Sequence, residues 1–157
     1  NALSDVVEVE IARDRKLYAQ SYSRGKPTSK LALKGAAPNR RGTTIRFHPD
    51  PEIFGDKLRF RPARLYAMAR SKAYLSRAAE IRWSCDPALL KDDDKTPAEA
   101  VLRYPNGLSD MLAELTAEAS LVIPATFSGR VDMEGGVAVE WAVCWSANGF
   151  GEADGFA

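Results

Sequence analysis

The strongest constraint on the fold is a two-residue alternation of apolar and polar side chains, found near both ends of the chain. In residues 5–12, Asp-Val-Val-Glu-Val-Glu-Ile-Ala, the side chains of Val7, Val9 and Ile11 fall on one face and those of Glu8 and Glu10 on the other. Successive strand side chains point to opposite faces of a sheet, so this period predicts a half-buried strand. Arg13-Asp14-Arg15-Lys16 reads as a polar turn, and residues 17–23 return with Tyr18, Gln20 and Tyr22 on one face. Residues 26–41 read as a basic connection punctuated by glycine and proline. Residues 42–47 form a third expected strand, ended by His48-Pro49-Asp50-Pro51 because proline cannot donate to the ladder. Residues 131–137 predict a hairpin turning at Glu134-Gly135-Gly136. Beyond it Val137, Val139, Trp141, Val143 and Trp145 share a face, expected to be sheet core.

Two segments carry a helical period instead. Pro62 suits a first helical position, and residues 63–77 follow without glycine or proline, with Leu65, Met68, Ala69 and Leu75 on one stripe. Asn106 is expected to cap a helix over residues 107–119 whose stripe is Leu108, Met111, Leu112 and Leu115. Between them lie a short strand at residues 80–85 and an exposed loop at residues 86–97. The Asp92-Asp93-Asp94 run in that loop lacks the glycine and terminal glutamate of a calcium loop and reads as solvated. The pattern is α+β, an antiparallel sheet with two amphipathic helices.

The residue inventory closes off several chemistries. Cys85, Cys144 and the single His48 supply three soft or imidazole ligands at spacings unlike any zinc motif, so no metal site is expected. Both cysteines alternate with apolar strand residues and read as buried reduced thiols. The longest unbroken apolar run, residues 141–145, is far short of the roughly 20 residues of a membrane helix. A soluble, cytoplasmic protein without a membrane partner is the expectation. No glycine-rich loop precedes a helix to cradle a phosphate; Gly149-Phe150-Gly151 leads into none. His48, between a strand phenylalanine and a proline, is expected to be structural or exposed, and no catalytic residue emerges.

Charge is the remaining signal. Residues 1–79 hold 17 Lys+Arg and 7 Asp+Glu, whereas residues 80–157 hold 5 and 14, so a net charge of +1 hides halves of +10 and −9. From Arg13 to Arg46 there are ten cations and one acid, and from Lys57 to Arg77 seven and none, with tyrosines and phenylalanines interleaved. Such a surface suits nucleic acid through counterion release and stacking. A solvated basic face has the same composition, and both readings stay open.

The wording of the sequence narrows this further. Asn1-Ala2-Leu3-Ser4, then Arg13, then the run Gly42-Thr43-Thr44-Ile45-Arg46-Phe47-His48-Pro49-Asp50-Pro51-Glu52-Ile53-Phe54 closely resembles the ATPase subunit of bacterial type II topoisomerases. Residues 63–75 and Glu80-Ile81-Arg82-Trp83 look like the topoisomerase IV branch more than the gyrase branch. Tyr104-Pro105-Asn106-Gly107-Leu108 and residues 137–145 continue the similarity in the same order.

The resemblance implies the C-terminal part of a GHKL (Bergerat) ATPase domain sheet over residues 1–105, followed by the start of a transducer domain over residues 106–157. It implies ATP and Mg²⁺ as cofactors of the parent, and as partners DNA, the topoisomerase IV A subunit and a second ATPase subunit. It implies nucleotide-binding roles for Gly42, which allows close approach, Thr43, which helps hold the adenine, and Ile45, which packs on the pocket. Arg13 would stand at the pocket mouth, where coumarin inhibitors bind. Thr43 and Ile45 can equally be ordinary strand residues, and Arg13 a solvated turn. The family's general-base glutamate, Asp-x-Gly-x-Gly segment, glycine-rich lid and Gln-Thr-Lys segment have no match in residues 1–157, where Gln20 is the only glutamine. The chain is therefore expected to be a fragment with an incomplete site, inactive as an ATPase by itself. A basic nucleic-acid-binding module without enzymatic activity is the alternative.

Overall fold

The computed structural model describes residues 1–90 and 95–147 and divides the chain into two compact units, Asn1–Arg59 and Phe60–Ala157. The Asp92-Asp93-Asp94 run and the tail from Gly149 onward lie outside the described residues.

The first unit is one antiparallel sheet. Strand β1 (Ser4–Arg13) is paired on one side with β2 (Lys16–Ser23) and on the other with β5 (Gly42–Pro49). Two short strands, β3 (Lys26–Pro27) and β4 (Ala32–Ala36), both pair with β2. The β1–β5 register sets Val7, Val9 and Ile11 beside Phe47, Ile45 and Thr43 on one face. Glu8 and Glu10 occupy the other, where Arg46 and Arg40 pair with them at 2.9 Å each. The expected alternation is the one found, but its apolar side is only partly covered: Val7 is 5% exposed, Phe47 55% and Ile45 64%.

Residues 26–41 are not the plain connection expected. Lys26 and Lys34 sit in β3 and β4, short strands flanking β2, and charged lysines on such strands discourage pairing with a further chain. The register slips between Leu17 and Tyr18, whose partners are Gly35 and Leu33, so Lys34 is the extra residue of a bulge. The third strand also runs two residues further than expected, to Pro49. Proline is tolerated there because it lies opposite Ser4, past a register shift at the sheet margin.

Asp50 closes this unit. It is 1% exposed, accepts the Glu52 N–H at 3.0 Å as N-cap of the short helix α1 (Pro51–Phe54), and accepts Arg24 Nε at 2.6 Å and Nη2 at 3.2 Å. Its own N–H donates to the Leu3 carbonyl at 3.0 Å. The Arg24 guanidinium, ahead of the backbone N–H of Glu52, holds the Asp50 carboxyl below the usual carboxylate range.

In the second unit, α2 (Pro62–Leu75) opens with proline at its first turn. It stops at Leu75, two residues before the expected end, and its buried residues are Ala73 and Tyr74. Leu65, Met68 and Leu75 of the expected stripe are instead exposed, at 37%, 56% and 38%. Strand β6 (Ile81–Ser84) pairs with β7 (Glu99–Leu102), a strand not anticipated because four residues carry too little period to read. Between them a 3₁₀ turn (Pro87–Leu89) is capped by Asp86. Helix α3 (Leu108–Leu115) begins after Gly107, not after an Asn106 cap, and ends four residues early. Asn106 bonds forward to Asp110 through its backbone N–H (2.9 Å) and its side-chain amide (3.0 Å).

Strands β8 (Phe127–Asp132) and β9 (Ala138–Val143) form the expected hairpin, with Gly135 and Gly136 both at positive φ in its turn. The Trp141 indole lies over Gly129 opposite, where a Cβ would leave it no room. Their shared apolar face is not core within the described residues: Phe127, Val131, Val139, Val143 and Trp145 are 42–60% exposed. The polar face is covered at Glu140. Glu140 accepts the Leu108 N–H at 2.9 Å and pairs with Arg77 at 2.7 Å, with Arg130 at 3.9 Å. Burial alone would raise the Glu140 carboxyl, but the Arg77 hydrogen bond and the Leu108 N–H outweigh it and hold it low. A second network joins α2 to α3: Tyr74 stacks on Tyr104 with ring centroids 3.9 Å apart, its hydroxyl donates to Glu114 at 2.5 Å, and Arg70 pairs with Glu114. Burial first, and then the Glu114 bond, push the Tyr74 hydroxyl well above its ordinary value.

These anchors can be tested separately. Asp50 has a depressed folded pKa, so its stabilisation is complete above about pH 4 and is lost as pH falls through the folded value. Asp50→Asn should lower the thermal midpoint by a constant amount from pH 7 to about 5, the deficit shrinking below pH 4. A deficit growing toward low pH in thermal melts would contradict this. Gly107 has φ 60° and ψ −122°, and an added Cβ would stand 2.5 Å from Glu140 Oε1 and 2.8 Å from Arg77 Nε. Gly107→Ala should cost about 2–4 kcal/mol in denaturant titrations, through backbone strain and a displaced Glu140; a loss below roughly 0.5 kcal/mol would contradict that reading.

Candidate functional site

Two backbone pairings build the site. Ala12 lies opposite Gly42 and Ile11 opposite Thr43, so the end of β1 and the start of β5 lie side by side. The β1–β2 turn then uses Asp14 (φ 51°) and Arg15 (φ 61°), both left-handed, as a two-residue hairpin of type I′ requires. The loop returning to β5 is tied to this turn by the Ala37 N–H, which donates to the Arg15 carbonyl at 2.7 Å. Residues 11–15, Pro38 and residues 40–43 thereby line one open cleft of about 640 Å³.

Three of the four residues singled out from the sequence, Arg13, Gly42 and Thr43, line this cleft together. Ile45 does not. It lies on the same sheet face as Thr43, two residues along, opposite Val9 and 64% exposed. Gly42 is at φ 125°, a conformation L side chains rarely adopt, and no atom stands within 4 Å of where its Cβ would be. Glycine is there for the backbone and leaves the cleft floor open.

The cleft also holds residues that sequence reasoning does not single out. Arg15 reads only as part of a polar turn, and Arg40 and Arg41 as part of a basic connection; the run of ten cations against one acid is the available signal. Arg40 donates to Glu10 at 2.9 Å and to the Thr44 hydroxyl at 2.8 Å. Arg13 approaches Asp14 at 3.6 Å with both side chains at least 80% exposed, a pair worth little in water. Arg15 and Arg41 make no ion pair among the described residues. The cleft thus joins an apolar wall at Ile11, a hydroxyl at Thr43 and an excess of guanidinium groups. It offers no nucleophile with a base beside it.

The remaining candidates lie elsewhere. His48 bonds through Nδ1 to Asp5 at 2.8 Å and is exposed, away from the cleft residues, in line with the structural reading. Cys85 and Cys144 are free and only half-buried, not the buried thiols expected. No group of three or more His, Cys, Asp or Glu side chains that could hold a metal occurs among the described residues. No helix among them is long and apolar enough to cross a membrane.

No family model matches the chain. It is 51% identical over 158 aligned residues, 99% of its length, to the B subunit of DNA topoisomerase 4 from Caulobacter vibrioides, and 49% identical over 92% of its length to that of Bartonella bacilliformis. The B subunit of DNA gyrase from Thermus thermophilus is 46% identical over 48% of the chain. The chain spans about a fifth of the length of the topoisomerase 4 relatives, 22% and 21%. Among solved structures, the 43K ATPase domain of Thermus thermophilus gyrase B in complex with an aminocoumarin superposes with a TM-score of 0.73 at 32% identity, covering 90% of this chain and 36% of that one. The gyrase B-subunit of Myxococcus xanthus gives 0.76 at 20% identity, over 93% of this chain and 40% of that one, which speaks to fold alone. The α+β fold is that of the GHKL ATPase region of these proteins. In sequence and in fold, then, this chain belongs with the B subunits of bacterial type II topoisomerases, and with topoisomerase IV more closely than with gyrase.

Proposed function

We propose that the chain supplies the outer wall of the nucleotide pocket in an ATP-hydrolysing topoisomerase IV subunit, whose parent couples ATP turnover to decatenation and relaxation of DNA in the cytoplasm. One observation carries this reading: the β1–β5 register brings Arg13, Gly42 and Thr43 onto one cleft in a sequence 51% identical to a DNA topoisomerase 4 B subunit. On it, Thr43 offers its hydroxyl to the adenine, Gly42 lets the ring approach the backbone, Ile45 extends the apolar wall beyond the cleft, and Arg13 guards the mouth. The open floor at Gly42 and the hydroxyl beside it suit a nucleobase. ATP binding to the parent would supply the phosphoanhydride whose hydrolysis drives strand passage.

The parent would also use Mg²⁺, a second ATPase subunit and the A subunit. Residues 1–105 would belong to its ATPase domain and 106–157 to its transducer. The Arg70–Glu114 and Arg77–Glu140 pairs would then tie the two domains, since each spans position 106. Phosphoryl transfer needs groups that position and neutralise the phosphates. Residues 1–157 hold neither an Asp-x-Gly-x-Gly segment nor a Gln-Thr-Lys segment to provide them. The chain alone should therefore show no Mg²⁺-dependent ATP turnover above background in a phosphate-release assay.

A basic nucleic-acid module without enzymatic activity draws less support, because two arginines of α2 and its C-terminal flank, Arg70 and Arg77, are already held by Glu114 and Glu140.

The gyrase B relative was crystallised with an aminocoumarin, which supplies the probe. Aminocoumarin binding measured by calorimetry should weaken at least about tenfold on Arg13→His, equal to about 1.4 kcal/mol. Binding unchanged by this substitution and by Thr43→Ala would overturn the pocket reading.

A further inference from the structure

We propose that Glu140 is a partner-exchanging latch: it closes on Arg77 in this structure and opens by passing to Arg130, releasing α3 and the β8–β9 hairpin to turn about Gly107. The inference rests on contacts within the second unit and stands apart from the nucleotide pocket.

The charge polarity of the sequence supplies the first observation. Residues 60–77 hold five Lys+Arg and no acid, whereas residues 108–147 hold six Asp+Glu and one cation, Arg130. The two segments meet around the 103–107 connection. Arg70 and the Tyr74 hydroxyl reach Glu114, and Arg77 reaches Glu140 at 2.7 Å. Part of the polarity is thus used inside the chain, as a clasp between oppositely charged segments. The Arg70, Glu114 and Arg77 side chains are 38–45% exposed, so salt ions reach the clasp and these groups can be rehydrated when it opens.

Glu140 is in a different position. Its side chain is 16% exposed, and losing Arg77 without a replacement would leave a carboxylate short of partners in a largely buried place. The replacement is at hand. Glu140 Oε1 takes both Arg77 and the Leu108 N–H, while Oε2 lies 3.9 Å from Arg130 Nη1. Arg130 stands directly opposite Glu140 in the hairpin register, with its Nη2 and Nε on Asp132 at 2.7 and 3.0 Å. A small shift of the guanidinium brings Nη1 onto Oε2 while Asp132 is kept. Glu140 therefore has two alternative cations, one across the junction and one on its own hairpin, and such a choice is what a two-state element requires.

The third observation is the pivot. Gly107 leads into α3 with φ 60° and ψ −122°, a conformation that suits glycine. Arg77 and Glu140 pack directly on it: a Cβ there would stand 2.8 Å from Arg77 Nε and 2.5 Å from Glu140 Oε1. Leu108, Glu140 and Arg130 all follow Gly107 in the chain and are joined by α3 and the hairpin. Rotation at Gly107 separates Arg77 from Glu140 and leaves the Leu108 bond in place.

The chain's two cysteines supply the probe. Cys85 follows β6 and Cys144 follows β9, one on each side of Gly107, and both are free. Nitroxide labels on them, read by double electron–electron resonance in the whole chain, report opening as a second distance. In the otherwise unaltered chain one distance should dominate at low salt, and a second should grow toward about 1 M salt as screening reaches contact range. Arg77→Met should raise the open-to-closed ratio at low salt roughly tenfold, and Arg77→Lys should restore most of the closed population. Arg130→Met should suppress the second distance at high salt, because the open Glu140 then lacks its cation. Arg82→Met, which removes an exposed arginine of β6 paired with Glu80, should change nothing. Salt acts on the unaltered side chains, so a variant that fails to fold does not remove the test. One unchanging distance across the salt range, or in Arg77→Met, would overturn the latch. An Arg130→Met chain that opens as readily as its parent would overturn the exchange, and an equal shift in Arg82→Met would show a general charge effect in place of a latch.

Discussion

Ala12 stands opposite Gly42, and the candidate site depends on that pairing. A slip of one residue between β1 and β5 would exchange the faces of every side chain on one strand and carry Thr43 away from Ile11. Several features hold the register. Glu8–Arg46 and Glu10–Arg40 pair across the polar face, Val9 and Ile45 lie opposite each other on the apolar one, and Asp50 anchors the far end of β5 through Leu3 and Arg24. Gly42 then frees the backbone where the cleft opens.

The distribution of charge follows from the same economy. A buried carboxylate is tolerated where hydrogen bonds and an opposite charge replace its water, and Asp50 and Glu140 each have both. Each such pairing withdraws an arginine from the surface. The basic character of the first 79 residues is therefore only partly neutralised: Arg24, Arg40, Arg46, Arg70 and Arg77 are held by carboxylates, whereas Arg15 and Arg41 at the cleft make no ion pair among the described residues.

Local chemistry is legible in the sequence wherever a period or a turn residue carries it. The alternation of Val7, Val9 and Ile11 with Glu8 and Glu10 marks the central strand, and Glu134-Gly135-Gly136 locates the second hairpin. Burial is less legible. Val139, Val143 and Trp145 share a face as expected, yet they are exposed, while Glu140 on the opposite side of β9 is half-buried through its bonds to Leu108 and Arg77. Met68 departs from expectation in a similar way, being exposed while Tyr74, with a polar end, is buried by the stack on Tyr104 and the bond to Glu114. At the cleft, resemblance singles out Arg13, Gly42, Thr43 and Ile45, of which the first three line it, whereas Arg15, Arg40 and Arg41 become visible only through a turn and a loop that meet across a long stretch of sequence.

The central claim is that the β1–β5 register creates a ligand pocket at this cleft. Its most direct test is amide chemical-shift mapping of the isotope-labelled chain during titration with an aminocoumarin. Shifts should concentrate in residues 11–15 and 38–45, with little change in the β8–β9 hairpin. Saturable shifts centred outside the first unit, or none at ligand concentrations in the millimolar range, would contradict it.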